Sequence, residues 1–167
     1  IYPKSCDKNK QVVVLTADHG AFALSKFERQ FPERFINVGI AEQNMISVGA
    51  GLASTGKRPI LYGIAPFMSL RVLEQITLDL AAMNLPVTIA SVGAGFTYST
   101  DGSSHLGLQD TAAVMTVPNL EVLNSSDPAS TRLFAASTVT AIGPRYVRIE
   151  KGELPILQRK EPDWLFE

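Results

Sequence analysis

Residues 34–60 read RFINVGIAEQNMISVGAGLASTGKRPI, and this stretch decides the fold class. Its opening, RFINV over 34–38, is a short β-branched and aromatic run of the kind that forms a strand. From Ala41 to Ser54 the apolar residues follow helical spacing and lie nearly all round the cylinder, which predicts a buried helix. Gly56 stands just past the end, where a helix stop belongs. PILYGI over 59–64 then resumes as a strand. Strand, helix and strand in one short span form the unit from which parallel sheets are built.

The same alternation continues outward in both directions. Val12-Val13-Val14-Leu15 reads as a buried strand, preceded by a loose polar lead-in over residues 1–10. Residues 69–84 read as an amphipathic helix with Leu70, Leu73, Ile76, Leu80 and Met83 on one side. PVTIASV over 86–92 is a continuous apolar strand, and the Gly- and Ser-rich residues 93–107 read as a long loop. Leu108 to Thr116 is helical and Leu120 to Leu123 a strand. Asp127-Pro128 caps and starts a helix running to Val139. RYVRI over 145–149 is the last strand, and residues 153–167 form a poorly patterned tail. Continuous apolar strands alternating with helices predict an α/β domain over 11–152: a mainly parallel sheet with helices on both faces. In such folds sites gather at the carboxyl ends of the strands.

Composition narrows the classes. The 167 residues suit one domain, and 46% are hydrophobic, enough for a real core. Fifteen basic residues face 16 acidic ones, so no basic field invites nucleic acid and a charged ligand must be held by placed side chains. The single cysteine, Cys6, excludes an internal disulfide and a cysteine metal cluster, which fits a reducing, cytoplasmic setting. The longest apolar stretch, Met45 to Ala53, falls far short of the ~20 residues that span a bilayer. The chain opens on Ile1 and not Met, so a missing targeting signal excludes nothing.

Five candidate residues fall at predicted strand ends: Asp18, Glu42, Phe67, Asp101 and His105. Three of these, and Arg148 beside them, have an ordinary reading. Glu42, in a helix first turn, offsets the helix dipole by about 0.3–1 kcal/mol. Its helix buries nearly everything, however, so a crevice and a partly desolvated carboxylate are the alternative. A lone aromatic such as Phe67 is commonly core, a histidine such as His105 in a polar loop is commonly solvated, and Arg148 near a strand end is commonly an exposed charge.

The quoted stretch resembles the corresponding segment of transketolases and 1-deoxyxylulose-5-phosphate synthases. The resemblance implies the pyrimidine-binding domain of a thiamine-diphosphate enzyme. In that family the glutamate of the AEQ or REH segment bonds a ring nitrogen of the cofactor's aminopyrimidine and favours its imino tautomer. Glu42 takes that position. Aromatics after the third strand stack on the pyrimidine, often as a pair three apart. Here Ile64-Ala65-Pro66-Phe67 keeps Phe67 and replaces the first aromatic with Ile64, an apolar wall, so the pocket's shape departs from the pattern. Asp101 and His105, in DGSSH, resemble the DGATH or DGPTH loop that contacts substrate oxygens. His105 suits oxyanion stabilisation or proton transfer. Arg148, in GPRYVR, resembles the arginine that binds a sugar phosphate, a task suited to a planar fork of donors. Asp18 resembles the aspartate near the cofactor and the subunit interface. Arg71 aligns with an arginine that helps bind the acceptor phosphate in the deoxyxylulose-phosphate synthases.

The resemblance covers one domain of three. It implies a divalent metal, Mg²⁺ or Ca²⁺, held by a GDG…N motif on another domain, and no such motif occurs here. The expectation is therefore a fragment, or one subunit of a split enzyme. It needs a partner carrying the diphosphate and metal site, as a homodimer or heterotetramer. The expected activity is ketol transfer between sugar phosphates. Two rivals stand beside it: a deoxyxylulose-phosphate-synthase-like or 2-oxoacid-dehydrogenase-like subunit, and a non-catalytic assembly domain. Val92-Gly93-Ala94-Gly95 lacks the Asp-Arg pair of the synthases, which favours transketolase chemistry.

Overall fold

The computed structural model describes residues 9–20, 22–152 and 154–157. Cys6, most of the lead-in and most of the tail lie outside them. Six strands form one parallel sheet: β1 (Val12–Thr16), β2 (Phe35–Asn37), β3 (Arg58–Ile64), β4 (Thr88–Val92), β5 (Glu121–Asn124) and β6 (Arg145–Ile149). Their order is β2-β1-β3-β4-β6-β5, and every pairing is parallel.

Pleat alternation splits the core in two. Val13, Leu15, Leu61, Ile89 and Tyr146 point to one face. There α2 (Glu42–Ser54) supplies Met45, Ile46 and Ala50, and the helix over residues 70–81 (α3) supplies Val72, Ile76 and Leu80. Val12 and Val14 point the other way, beneath α1 (Ser25–Gln30). An apolar cavity of about 190 Å³ lies on that second face, walled by Phe27 of α1 and by Phe134 of α5 (Pro128–Ser137). A short α4 (Asp110–Val114) precedes β5 and adds Val114 to the first face. Helices thus cover both faces, as the alternation predicts.

Three expectations need correction. First, α1 is an element that the reading of the sequence passes over. Its signal is the spacing Leu24, Phe27, Phe31, which places buried Leu24 and Phe27 on one face. Arg34, expected in the second strand, precedes it in a one-turn helix, with its guanidinium 3.9 Å from the Phe31 ring centroid. Second, α2 is not buried all round. Gln43, Asn44, Ser47, Gly51 and Ser54 form an exposed strip, and the Ser47 hydroxyl donates to Asp79 of α3 at 2.6 Å.

Third, the stripe predicted along 69–84 is interrupted. Ile76 and Leu80 are buried, but Leu70 and Met83, at 45% and 59% exposure, are not. From Ile76 to Ala81 the helix is of the π type, with the Ala82 amide donating to the Thr77 carbonyl. Leu70 lies in a 3-10 turn over Leu70–Val72 and Met83 lies past the end of the π segment, so a single 3.6-residue period places neither of them. The Asp127–Pro128 start holds as predicted: Asp127 accepts from the Ser130 amide at 2.8 Å, and the Ser130 hydroxyl accepts from the Asp127 amide at 3.1 Å.

Candidate active site

The loops after β2, β3 and β4 converge at the carboxyl ends of the strands. Glu42 opens α2, preceded by Ala41, which offers no side-chain cap. Its carboxylate is only 4% exposed and is not turned back to cap its own helix. It accepts from Arg71 Nη1 at 2.9 Å, across 29 residues. Glu42 is thus a buried carboxylate in a helix first turn, paired with a cation from another element.

Arg71 lies in the first turn of α3, and its guanidinium carbon is 3.9 Å from the Phe67 ring centroid. Phe67 in turn meets His105 edge-to-face, with centroids 5.0 Å apart. Glu42, Arg71, Phe67 and His105 thus form one continuous cluster. Ile64 ends β3, and its carbonyl accepts from the amides of Phe67 and Met68, both at 3.0 Å. This turn carries Phe67 off the sheet. Gly63 permits it, because a Cβ there would lie 2.6 Å from Met68 Sδ and 3.1 Å from His19 Nε2.

The loop over 93–107 is not loose. Gly95 and Gly107 pair as an isolated antiparallel bridge, Thr97 Oγ1 donates to Glu150, and Lys151 sits 4.4 Å above the Tyr98 ring. Gly93, at φ +91°, allows Tyr98 to pack where any side chain would collide. Asp101 ends a one-turn helix and is exposed; His105 ends the next and is half-buried, its Nδ1 3.0 Å from Ser104 Oγ.

Two expected site residues stand apart from the cluster. Asp18, at φ 55°, exchanges hydrogen bonds with Asn37, both at 3.1 Å. It lines a separate recess of about 240 Å³ with His19, Phe22 and Glu28. Thr16 Oγ1, buried and without a hydrogen-bond partner, borders the same recess. Arg148 is committed elsewhere: Nε donates to Asp110 Oδ2 at 2.8 Å, and Nη2 donates to Gly107 O at 2.7 Å and Asp110 Oδ1 at 3.3 Å. Asp110, 1% exposed, also accepts from the Tyr146 hydroxyl at 3.0 Å. This network fastens the base of the 93–107 loop to the sheet. No sequence signal marks Asp110, whose partner is 38 residues away.

Tyr62, beneath α1, has its phenol pushed up from 10.0 to about 12 by burial first and the neighbouring Tyr98 second. The unfolded phenol ionises near pH 10 while the folded one keeps its proton to about pH 12. The folded state then holds more protons than the unfolded state, so this contribution to stability is complete below pH 10 and is lost between pH 10 and 12. Tyr62→Phe is expected to flatten that alkaline loss, read as the urea midpoint at several pH values from about 9 to 12. An unchanged slope would remove Tyr62 from the account.

The geometry defines a doubly wound α/β domain with a buried carboxylate and an adjoining aromatic ring at its strand ends. The family model for the transketolase pyrimidine-binding domain matches residues 2–156. This chain belongs to the transketolase pyrimidine-binding domain family. It is 37% identical over 161 residues to a protein of Methanocaldococcus jannaschii named as a transketolase C-terminal section. It is 40% identical over 150 residues to 1-deoxy-D-xylulose-5-phosphate synthase of Corynebacterium glutamicum strain R. A solved split-gene transketolase, described as an inactive beta4 tetramer, superposes at TM-score 0.81 with 35% identity, over 92% of this chain and 49% of that one. The chain spans 51% of the archaeal relative, 96% of itself being matched, and 23% of the synthase, with 89% matched. Membership of this family implies dependence on thiamine diphosphate. Among the described residues, no group of three or more His, Cys, Asp or Glu side chains is placed to hold a metal, and no helix is long and apolar enough to cross a membrane.

Proposed function

We infer that this chain supplies the pyrimidine-binding half of a cytoplasmic transketolase-type enzyme that moves a two-carbon ketol unit between sugar phosphates. A partner chain or domain contributes the diphosphate site and its Mg²⁺ or Ca²⁺, within a homodimer or heterotetramer. The observation that carries this reading is the buried Glu42 carboxylate beside the Phe67 ring. Their suitability for an aminopyrimidine has a test within the chain: a flat N–H donor, the Arg71 guanidinium, already rests against both groups.

Thiamine diphosphate, when bound, supplies an acidic thiazolium carbon that adds to a donor carbonyl once deprotonated. Glu42 would share a proton with a ring nitrogen of the aminopyrimidine, favour its imino form and so set which nitrogen can accept that proton. Phe67 carries the ring face, Ile64 walls the pocket, and Asp18 stands near the cofactor at the subunit interface. His105, held edge-on by Phe67, donates to the donor's developing oxyanion, and exposed Asp101 takes a substrate hydroxyl. Arg71 reaches substrate phosphate from the half-exposed side of the cluster. Arg148 binds the sugar phosphate through Nη1, which meets exposed Asn124 at 3.4 Å, while Nε and Nη2 keep Asp110 and Gly107 and steady the loop.

The family's split chains support the need for a partner. A relative in Phocaeicola vulgatus, matched over 48% of its length, is named as a subunit of an apulose-4-phosphate transketolase. The identity to the synthase favours a second reading, in which the donor is pyruvate and not a ketose phosphate. Product analysis of the reconstituted enzyme, offered xylulose 5-phosphate or pyruvate with an aldose phosphate, separates the two. Transfer from xylulose 5-phosphate is expected. Carbon dioxide release from pyruvate would replace this reading with the synthase or dehydrogenase one.

A further inference from the structure

The Glu42–Arg71–Phe67 arrangement has a consequence for how the site changes state. A guanidinium is planar, donates N–H groups in its own plane and stacks on aromatic rings. Arg71 uses all three properties at once, with its donor 2.9 Å from Glu42 Oε2 and its carbon 3.9 Å from the Phe67 centroid. An aminopyrimidine bound through Glu42 and Phe67 would need the same donor position and the same ring. Both planar groups cannot occupy that space together. The two partners also differ in freedom: Glu42 is 4% exposed and fixed at a helix start, whereas Arg71 is 42% exposed and ends in a long, jointed side chain. Arg71 is the member that can leave.

We propose that Arg71 is a reversible placeholder for the aminopyrimidine ring, a positioning residue that pairs with Glu42 and covers Phe67 until the ring displaces it. The inference rests on the reading of Glu42 and Phe67 given above. A buried carboxylate left alone carries a large desolvation penalty. Exchange of the guanidinium for a pyrimidine ring that takes up a proton on its ring nitrogen, and so donates N–H as the guanidinium does, spares Glu42 that state at both ends of the binding step. It also couples two events, because ring entry frees the guanidinium on the solvent side of the cluster, where a substrate phosphate can take it.

The test uses the 167-residue chain and 4-amino-5-hydroxymethyl-2-methylpyrimidine as probe, followed by NMR. Signals of Phe67, Glu42 and the Arg71 side-chain N–H groups are read together in the unaltered chain, and the titration is repeated with Arg71→Met, which keeps the apolar stem without donors. The expected result is that the Arg71 N–H signals move to the position of free arginine along the same isotherm as Phe67. Arg71→Met is expected to bind the probe about tenfold more tightly, the size set by losing a competing ion pair and a cation–π contact. Saturation of Phe67 and Glu42 with the Arg71 signals unmoved, or equal or weaker binding to Arg71→Met, overturns the placeholder and leaves the Glu42–Phe67 site standing. No response at Phe67 or Glu42 in either chain overturns that site and the placeholder with it. The Arg71 signals in the unaltered chain keep the test decisive if Arg71→Met does not fold.

Discussion

Glu42→Ala is expected to lower kcat/KM of the reconstituted enzyme by about 10³-fold or more, within the range of a lost acid–base group compounded by a lost cofactor contact. The chain is expected to stay folded. The Glu42 carboxylate pairs with Arg71, and Arg71 is 42% exposed, so the freed cation can be hydrated. Loss of activity with an unchanged melting temperature therefore reports chemistry and not collapse. Glu42→Gln is expected to fall almost as far, because an amide keeps the shape but cannot offer a charged acceptor to a ring N–H. Turnover unaltered by both substitutions would leave the non-catalytic assembly reading as the better account.

Asp110→Ala is expected to destabilise the domain by about 3–5 kcal/mol, the usual result of removing one partner from a buried ion pair. For a chain of this size that is a fall of roughly 6–20 °C in melting temperature. Asp110 is 1% exposed and its two oxygens serve Arg148 and Tyr146. Its removal takes the carboxylate from an arginine side chain that is only 19% exposed and from a buried phenol that also meets Ser91 at 2.7 Å. The pair Arg145–Glu121, 2.5 Å apart, is the internal comparison. Glu121 is 47% exposed, so Glu121→Ala is expected to change stability by at most about 1 kcal/mol. Calorimetric melting of both variants measures the contrast. A loss at Asp110 no larger than at Glu121 would mean that the network does not hold the 93–107 loop.

The strands were legible because each is a short apolar run between turn residues, and the parallel order followed from their alternation with helices. α2 was legible as a helix but not in its exposure, since its outer strip is built of small residues such as Ser47, Gly51 and Ser54 that read as neutral in an apolar count. The helix over 70–81 was legible as an element and misphased because it runs through 3-10, α and π turns in succession, a feature of hydrogen-bond register that spacing does not encode. α1 carried a readable signal in Leu24, Phe27 and Phe31, but the polar residues around Phe27 (Ser25, Lys26, Glu28, Arg29 and Gln30) leave it without the continuous apolar pattern of the other elements.

Within the site, Glu42, Phe67, Asp101 and His105 were visible as residue types at strand ends, and their assigned roles came from resemblance. The partner that each one meets was not visible. Glu42 finds Arg71 only because β3 and α3 bring residue 71 back over the start of α2. Arg148 finds Asp110 only because the fold brings residue 110, at the start of α4, to the end of β6. Pairings of this kind depend on the placement of whole elements, and a linear motif records the residue without the contact.

On the function proposed above, this chain holds half of a cofactor site. The most direct measurement is calorimetric titration of the chain with thiamine diphosphate and Mg²⁺, alone and then with the diphosphate-binding partner. The chain alone is expected to bind only weakly and without regard to Mg²⁺, through the pyrimidine end, and binding is expected to become tight, saturable and Mg²⁺-dependent once the partner is present. Tight, Mg²⁺-dependent binding by the chain alone would place a complete diphosphate and metal site within these 167 residues and would contradict the half-site reading.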